Sequence, residues 1–186
     1  MSKKIAIIIG SLRKESLNRK MAHALMALAP SSLDLQIIEI GNLPLYNQDL
    51  DDEGQIPAAW TQFREQMKSC VGVVFITPEY NRSIPGVLKN AIDVGSRPYG
   101  QSIWSKKPGA VISVSPGAIG GFGANQHLRQ TFVFLDIPAL QQPEAYIGHA
   151  GSLFNEQGEL VSEEMQKFLR NFSETYANWV ALNTQQ

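Results

Sequence analysis

Three short apolar runs constrain most strongly what this chain can fold into. Lys4–Ile9 (KIAIII), Val71–Pro78 (VGVVFITP) and Pro108–Ser115 (PGAVISVS) are apolar at consecutive positions, not at alternate ones. A strand of that kind has to be covered on both faces, which is the habit of parallel sheets. Segments of helical period lie between the runs. Leu17–Leu28 carries Leu17, Met21, Leu25 and Leu28 at helical spacing and stops before Pro30. LDLQIIEI (Leu33–Ile40) reads as a second strand. A long loop follows, GNLPLYNQDLDDEGQIP, and Pro57 fits the first turn of a second helix. Pro85–Val94 and Asn125–Leu135 read as further helices, and PALQQ leads into a short fifth strand. In the last segment Met165, Phe168, Leu169, Phe172, Tyr176, Trp179 and Val180 form one apolar stripe. Five strands alternating with five helices predict an α/β fold, a parallel sheet covered on both sides. No repeat, low-complexity tract or linker interrupts the pattern, so residues 1–186 read as a single domain.

Composition removes several classes of function. A formal net charge of −1 gives no reason to expect nucleic acid or an anionic membrane as partner. Cys70 is the sole cysteine, so an internal disulfide is impossible. It sits between a helix and an apolar strand, as a buried, inert thiol would. No apolar run approaches the roughly 18 residues of a membrane span, and MSKK leads directly into a strand, so a cytoplasmic protein is expected. His23, His127 and His149 are far apart on different elements, with no metal-ligand spacing, so no metal site is expected.

In an open parallel sheet, ligands bind at the carboxyl ends of the strands, where the strand order reverses. The loop after the first strand is GSLRKESLN. Its Ser11, Ser16 and Asn18 are hydrogen-bonding side chains, Arg13 is a fixed cation, and a helix N-terminus with unpaired N–H groups follows. One capping serine would explain one of these four; a phosphate monoester explains all. The three-glycine dinucleotide fingerprint and the Walker loop are both absent. A phosphatase cysteine is absent from this loop, and Thr77 and Pro78 stand where a phospho-acceptor aspartate would. A mononucleotide with a terminal phosphate survives. The loop after the third strand, TPEYNRSIPG, offers Pro78, Glu79, Tyr80 and Asn81 to a planar polar heterocycle, or forms an ordinary turn. The loop after the fourth strand, SPGAIGGFG, is rich enough in glycine to approach a ligand with its backbone, or is a flexible link.

GSLRKESLN, PEYN-x-S-x-PG-x-LKNAID and S-x-GAIGG, in this order, resemble the NAD(P)H-dependent FMN reductase family, and within it the bacterial quinone and chromate reductases. The resemblance runs from about Ile5 to about Glu144. It implies a flavodoxin-like three-layer sandwich with strand order 2-1-3-4-5. It implies FMN held at its phosphate by Ser11, Arg13, Ser16, Leu17 and Asn18. Pro78, Glu79, Tyr80 and Asn81 would border the isoalloxazine, and Ser115 and Gly117 would approach it from the fourth loop. It further implies a homodimer or homotetramer, with Arg129 and Glu144 as an interface pair; two solvated surface charges are the alternative.

The chemistry expected on that basis belongs to the flavin, with no protein acid, base or nucleophile required. NADPH or NADH would reduce FMN. A quinone, or chromate, free flavin or a dye, would then take the electrons from the same face in a ping-pong cycle. A non-enzymatic electron carrier on the same fold is the alternative. Such carriers commonly dock through a strongly acidic face, which a net charge of −1 does not favour. Asp49, Asp51, Asp52 and Glu53 are acidic neighbours and read as a solvated loop. Arg82 and Arg97 are candidate contacts for a phosphate of the nicotinamide nucleotide, with plain surface charge as the alternative.

Overall fold

The computed structural model describes residues 2–184. Five parallel strands, β1 (Lys3–Ile9), β2 (Leu33–Ile37), β3 (Gly72–Thr77), β4 (Gly109–Val114) and β5 (Ala145–Ile147), form one sheet in the order β2-β1-β3-β4-β5. The order reverses between β1 and β3, as the flavodoxin-like expectation required.

The consecutive apolar runs are explained by two cores, one on each side of the sheet. Ile5, Ile7, Ile9, Val74, Ile76, Ala110, Ile112 and Val114 face one of them. Ala6, Ile8, Val73, Phe75 and Val111 face the other. Residues two apart share a face, so a run that is apolar at every position serves both. The first core is closed by α1 (Leu17–Leu28) and α6 (Glu163–Asn183). The second is closed by α3 (Ala58–Lys68), α4 (Gly86–Gly95) and α5 (Phe122–Leu135), with Trp60, Phe63, Phe75, Trp104 and Phe132 at its centre. Cys70 is buried in this second core.

The last helix is anchored at the amino ends of the strands. The Tyr176 hydroxyl donates to Pro108 O at 2.9 Å, and it fills the place where a side chain on Gly72 would stand, 2.6 Å from that position. Burial raises the Tyr176 phenol far above its ordinary range, so it remains a hydrogen-bond donor.

Three expectations need correction. The second strand leaves the ladder after Ile37, not at Ile40. Ile38 N–H still donates to Ile7 O (3.0 Å), but Ile38, Ile40 and Leu43 then turn into the second core. The long loop that follows contains a five-residue helix, α2 (Gln48–Asp52), capped by Asn47 Oδ1 on Asp49 N–H at 3.1 Å. Finally, the acidic segment is not simply a solvated loop. Asp51 receives Arg64 Nη1 and Nη2, each at 2.8 Å, with its side chain only 2% exposed. Arg64 Nε donates to Val94 O (3.0 Å), and its guanidinium carbon lies 5.5 Å from the Trp60 ring centroid. This pairing holds the Asp51 carboxyl below the usual carboxylate range, more than burial raises it.

Candidate active site

The loops after β1, β3 and β4 enclose a cavity of about 500 Å3 at the carboxyl ends of the strands. One part of its wall is the start of α1. Gly10 stands where the chain leaves β1, and a Cβ there would press on Thr77 Oγ1 at 3.0 Å and Leu88 Cδ2 at 3.1 Å. Ser16 is the N-cap, its Oγ accepting from Arg19 N–H at 3.2 Å. Leu17 and Asn18 begin the helix, where N–H groups have no helical carbonyl to bond. Asn18 is 4% exposed, and its buried Oδ1 has no hydrogen-bond partner. A half-turn of that amide presents its NH2 in place of the oxygen without changing its shape. Ser11 is buried and Arg13 exposed on the same wall. A buried amide lacking a partner, a cation and a helix N-terminus suit a phosphate.

The β3–α4 loop forms the facing wall. Tyr80 and Ser83 exchange two backbone hydrogen bonds of 2.9 Å, closing a two-residue hairpin over Asn81 (φ 51°) and Arg82 (φ 64°). Two left-handed central residues make this a type I′ turn. Tyr80 stays 49% exposed beside the cavity. Glu79 has a second task. Its Oε2 accepts from Ala124 N–H in the first turn of α5 (3.1 Å), and its Oε1 accepts from Arg82 Nη1 (3.0 Å). The N-cap of α5 is Gly121, which has no side chain to offer, so the cap is supplied by the neighbouring loop.

The β4–α5 loop closes the third side. Ser115 Oγ accepts from Gly117 N–H at 3.0 Å, while Ser115 N–H donates to Ile147 O and Gly117 O accepts from His149 N–H. Gly120 (φ 65°) passes so close to β5 that a Cβ would lie 2.5 Å from the Tyr146 carbonyl carbon. Glycine is therefore required here for space and for conformation. α5 begins at Phe122, three residues before the expected Asn125, because the Glu79 cap lets the glycine loop run directly into the helix.

Of the residues singled out from sequence, Ser11, Arg13, Ser16, Leu17, Asn18, Pro78, Glu79, Tyr80, Ser115 and Gly117 come together on the cavity wall. Asn81 does not; it stands on the exposed tip of the turn. Arg82 lines the cavity, whereas Arg97 lies in a separate hollow with Tyr46 and Tyr99. Val114, Pro116, Ala118, Ile119 and Gly121 complete the wall and were not singled out from sequence; their type gives no chemical signal. Glu15 also lies at its edge. Arg129 and Glu144 each bond within their own chain, Arg129 to Asn125 Oδ1 and Leu140 O, Glu144 to the Tyr146 hydroxyl. Among the described residues no group of three or more His, Cys, Asp or Glu is placed to hold a metal. No described helix is long and apolar enough to cross a membrane.

A parallel 2-1-3-4-5 sheet with a cavity and a helix N-terminus at its switch point defines a flavodoxin-like fold. The chain belongs to the NADPH-dependent FMN reductase family, whose family model matches residues 3–152. With that family it is an oxidoreductase that carries FMN and draws electrons from a nicotinamide nucleotide. It is 62% identical over 179 residues to a quinone reductase of Pseudomonas putida, covering 96% of this chain and 95% of the relative. It is 49% identical over 180 residues to a 2-hydroxy-1,4-benzoquinone reductase of Burkholderia sp, covering 97% of each. Among solved structures it is similar to FerB, a flavoenzyme NAD(P)H:(acceptor) oxidoreductase of Paracoccus denitrificans. That match has a TM-score of 0.91 and 39% identity, and covers 97% of this chain and 98% of the other.

Proposed function

We propose that this protein is a quinone reductase in which NADPH or NADH and the acceptor use one open face in turn. The single observation that carries the reading is the make-up of the cavity: a helix N-terminus with serines, a buried amide and an arginine lines it together with a half-exposed tyrosine. Bound FMN supplies hydride acceptance and electron release. The chain's own residues do the rest. Arg13, Ser11, Ser16 and the amides of Leu17 and Asn18 would hold the phosphate. Tyr80 would provide an aromatic border, and the 115–117 turn, held by its own hydrogen bonds, would close the third side of the ring's site. No side chain has to move a proton at carbon. Between turnovers the nicotinamide has to leave before the acceptor can enter, which is a ping-pong cycle.

The relatives named for quinones support quinones as the acceptor class. An open face also admits free flavin, dyes and metal oxyanions such as chromate. We place a second copy of the chain beside the first as a homodimer or homotetramer, with Arg129 and Glu144 near the contact.

The test is anaerobic rapid mixing. FMN-loaded protein should lose its visible flavin band on mixing with NADPH or NADH and regain it on a second mixing with 1,4-benzoquinone. A band that stays oxidised with both nucleotides would identify an electron carrier served by another reductase.

A further inference from the structure

We propose that Arg82 is an anion-recognition arm for the second substrate: its guanidinium receives an anionic oxygen of the small molecule that enters beside bound FMN. This rests on the FMN reading above. The ligand class is a flat redox partner bearing an acidic group, either a nucleotide donor with an extra phosphate or an acceptor with an ionised hydroxyl.

Two cations line the cavity, Arg13 and Arg82, on different loops. Arg13 shares its wall with the start of α1, so the resident phosphate accounts for it. Arg82 is on another loop, the one that carries Tyr80, and is separate in the chain from the serines and amides at the start of α1. Its side chain is 74% exposed and is tethered through Nη1 alone, to Glu79 Oε1 at 3.0 Å. An exposed single-contact pair of this kind is weak and easily exchanged for an incoming anion. Glu79 does not depend on it, because its other oxygen is held at the N-terminus of α5, whose dipole already favours a carboxylate. The backbone supports the same conclusion. Arg82 has a φ of 64° in a type I′ turn, a position that glycine fills without cost. An arginine there stands on a fixed, tight turn with its side chain at the cavity wall.

The experiment uses FMN-loaded wild type, Arg82→Ala and Arg82→Lys. One arm measures dissociation constants for NADP+ and NAD+ by perturbation of the flavin spectrum. The other compares KM for 2-hydroxy-1,4-benzoquinone, a vinylogous acid, with KM for uncharged 1,4-benzoquinone. In Arg82→Ala the preference for the anionic member of one pair should fall about tenfold, with partial recovery in Arg82→Lys and a smaller difference at high salt. A fall in the nucleotide pair identifies the donor phosphate as the partner; a fall in the quinone pair identifies the acceptor anion. Ratios that move less than twofold in both pairs would overturn the proposal. So would weaker FMN binding in Arg82→Ala without a change in either ratio, which would assign Arg82 to the resident cofactor. A wild type that takes up no FMN removes the underlying reading as well, and shows itself before any variant is compared.

Discussion

Glu79 and Ala124 are 45 positions apart, and a 3.1 Å hydrogen bond from the Ala124 amide to the Glu79 carboxylate joins the β3 loop to the start of α5. Two walls of the cavity are thus fastened to each other independently of any ligand. Removing the acceptor in Glu79→Ala should cost about 1 kcal/mol of stability, the worth of a helix cap. It should also weaken FMN binding, because the two walls would no longer hold their spacing. Glu79→Gln retains an acceptor oxygen and should lie closer to wild type in both respects. Thermal melts of the apo-protein and FMN titrations of the three proteins would check this. Equal FMN affinity in Glu79→Ala would show that the walls are held by other contacts.

Arg13 should govern cofactor retention more than turnover. Replacing it by alanine removes a charge-assisted hydrogen bond, so the FMN dissociation constant should rise about tenfold to a hundredfold. The rate of bleaching by NADPH at saturating FMN should change far less. Stopped-flow and equilibrium titration separate the two quantities.

Asn18 gives a test by charge. Its buried amide lines the cavity where the phosphate is proposed to bind, so Asn18→Asp would set a carboxylate against an anion and Asn18→Ala would only remove a contact. Asn18→Asp should therefore bind FMN more weakly than Asn18→Ala. The reverse order, measured by fluorescence titration, would move the phosphate away from the start of α1.

The Asp51–Arg64 pair sets an acid limit to stability. Pairing depresses the native carboxyl pKa, so its contribution is complete above the unfolded value near 3.9 and is lost as pH falls toward the native value. Wild type should lose stability below about pH 4 more steeply than Asp51→Asn. At neutral pH Asp51→Asn should be less stable by about 3 kcal/mol, because Arg64 keeps a buried charge without its counterion. Combining Asp51→Leu with Arg64→Met should recover part of that loss. Denaturant melts across pH would check both statements.

Two glycines should behave in opposite ways. Gly120→Ala meets the Tyr146 backbone at 2.5 Å in a left-handed conformation, so it should destabilise by about 1–3 kcal/mol and distort the 115–121 loop. Gly86 opens α4 with nothing within 4 Å of a Cβ, so Gly86→Ala should be neutral or slightly stabilising. Parallel thermal melts would compare them.

The fold was legible where the signal is local. Ile5–Ile9 and Val73–Ile76 are apolar at every position because each strand feeds two cores, and that leaves an unmistakable trace in the chain. The cavity wall at the start of α1 was legible for the same reason, as Ser11 to Asn18 fall within eight positions. What escaped depends on partners distant in sequence or on backbone direction. Nothing near Glu79 indicates that it caps a helix beginning at Phe122. Nothing near Asp51 separates it from its solvated neighbours; its burial is created by Arg64 on the next helix. α2 is too short to develop a period. Asn81 and Arg82 could not be sorted into tip and wall, because two neighbours in one turn carry no trace of which side chain borders the cavity.

The anchoring of Tyr176 on Pro108, in the space left by Gly72, lies at the end of the sheet opposite the reactive loops. The molecule thereby closes its last helix at the pole away from the cavity. On the proposed reading, substitutions on the 78–82 and 115–121 loops would alter which electron acceptors are used while the closure of the last helix is left untouched. A lineage drifting from one acceptor to another would have room to do so, and laboratory selection for a new acceptor should find its changes at the open pole first.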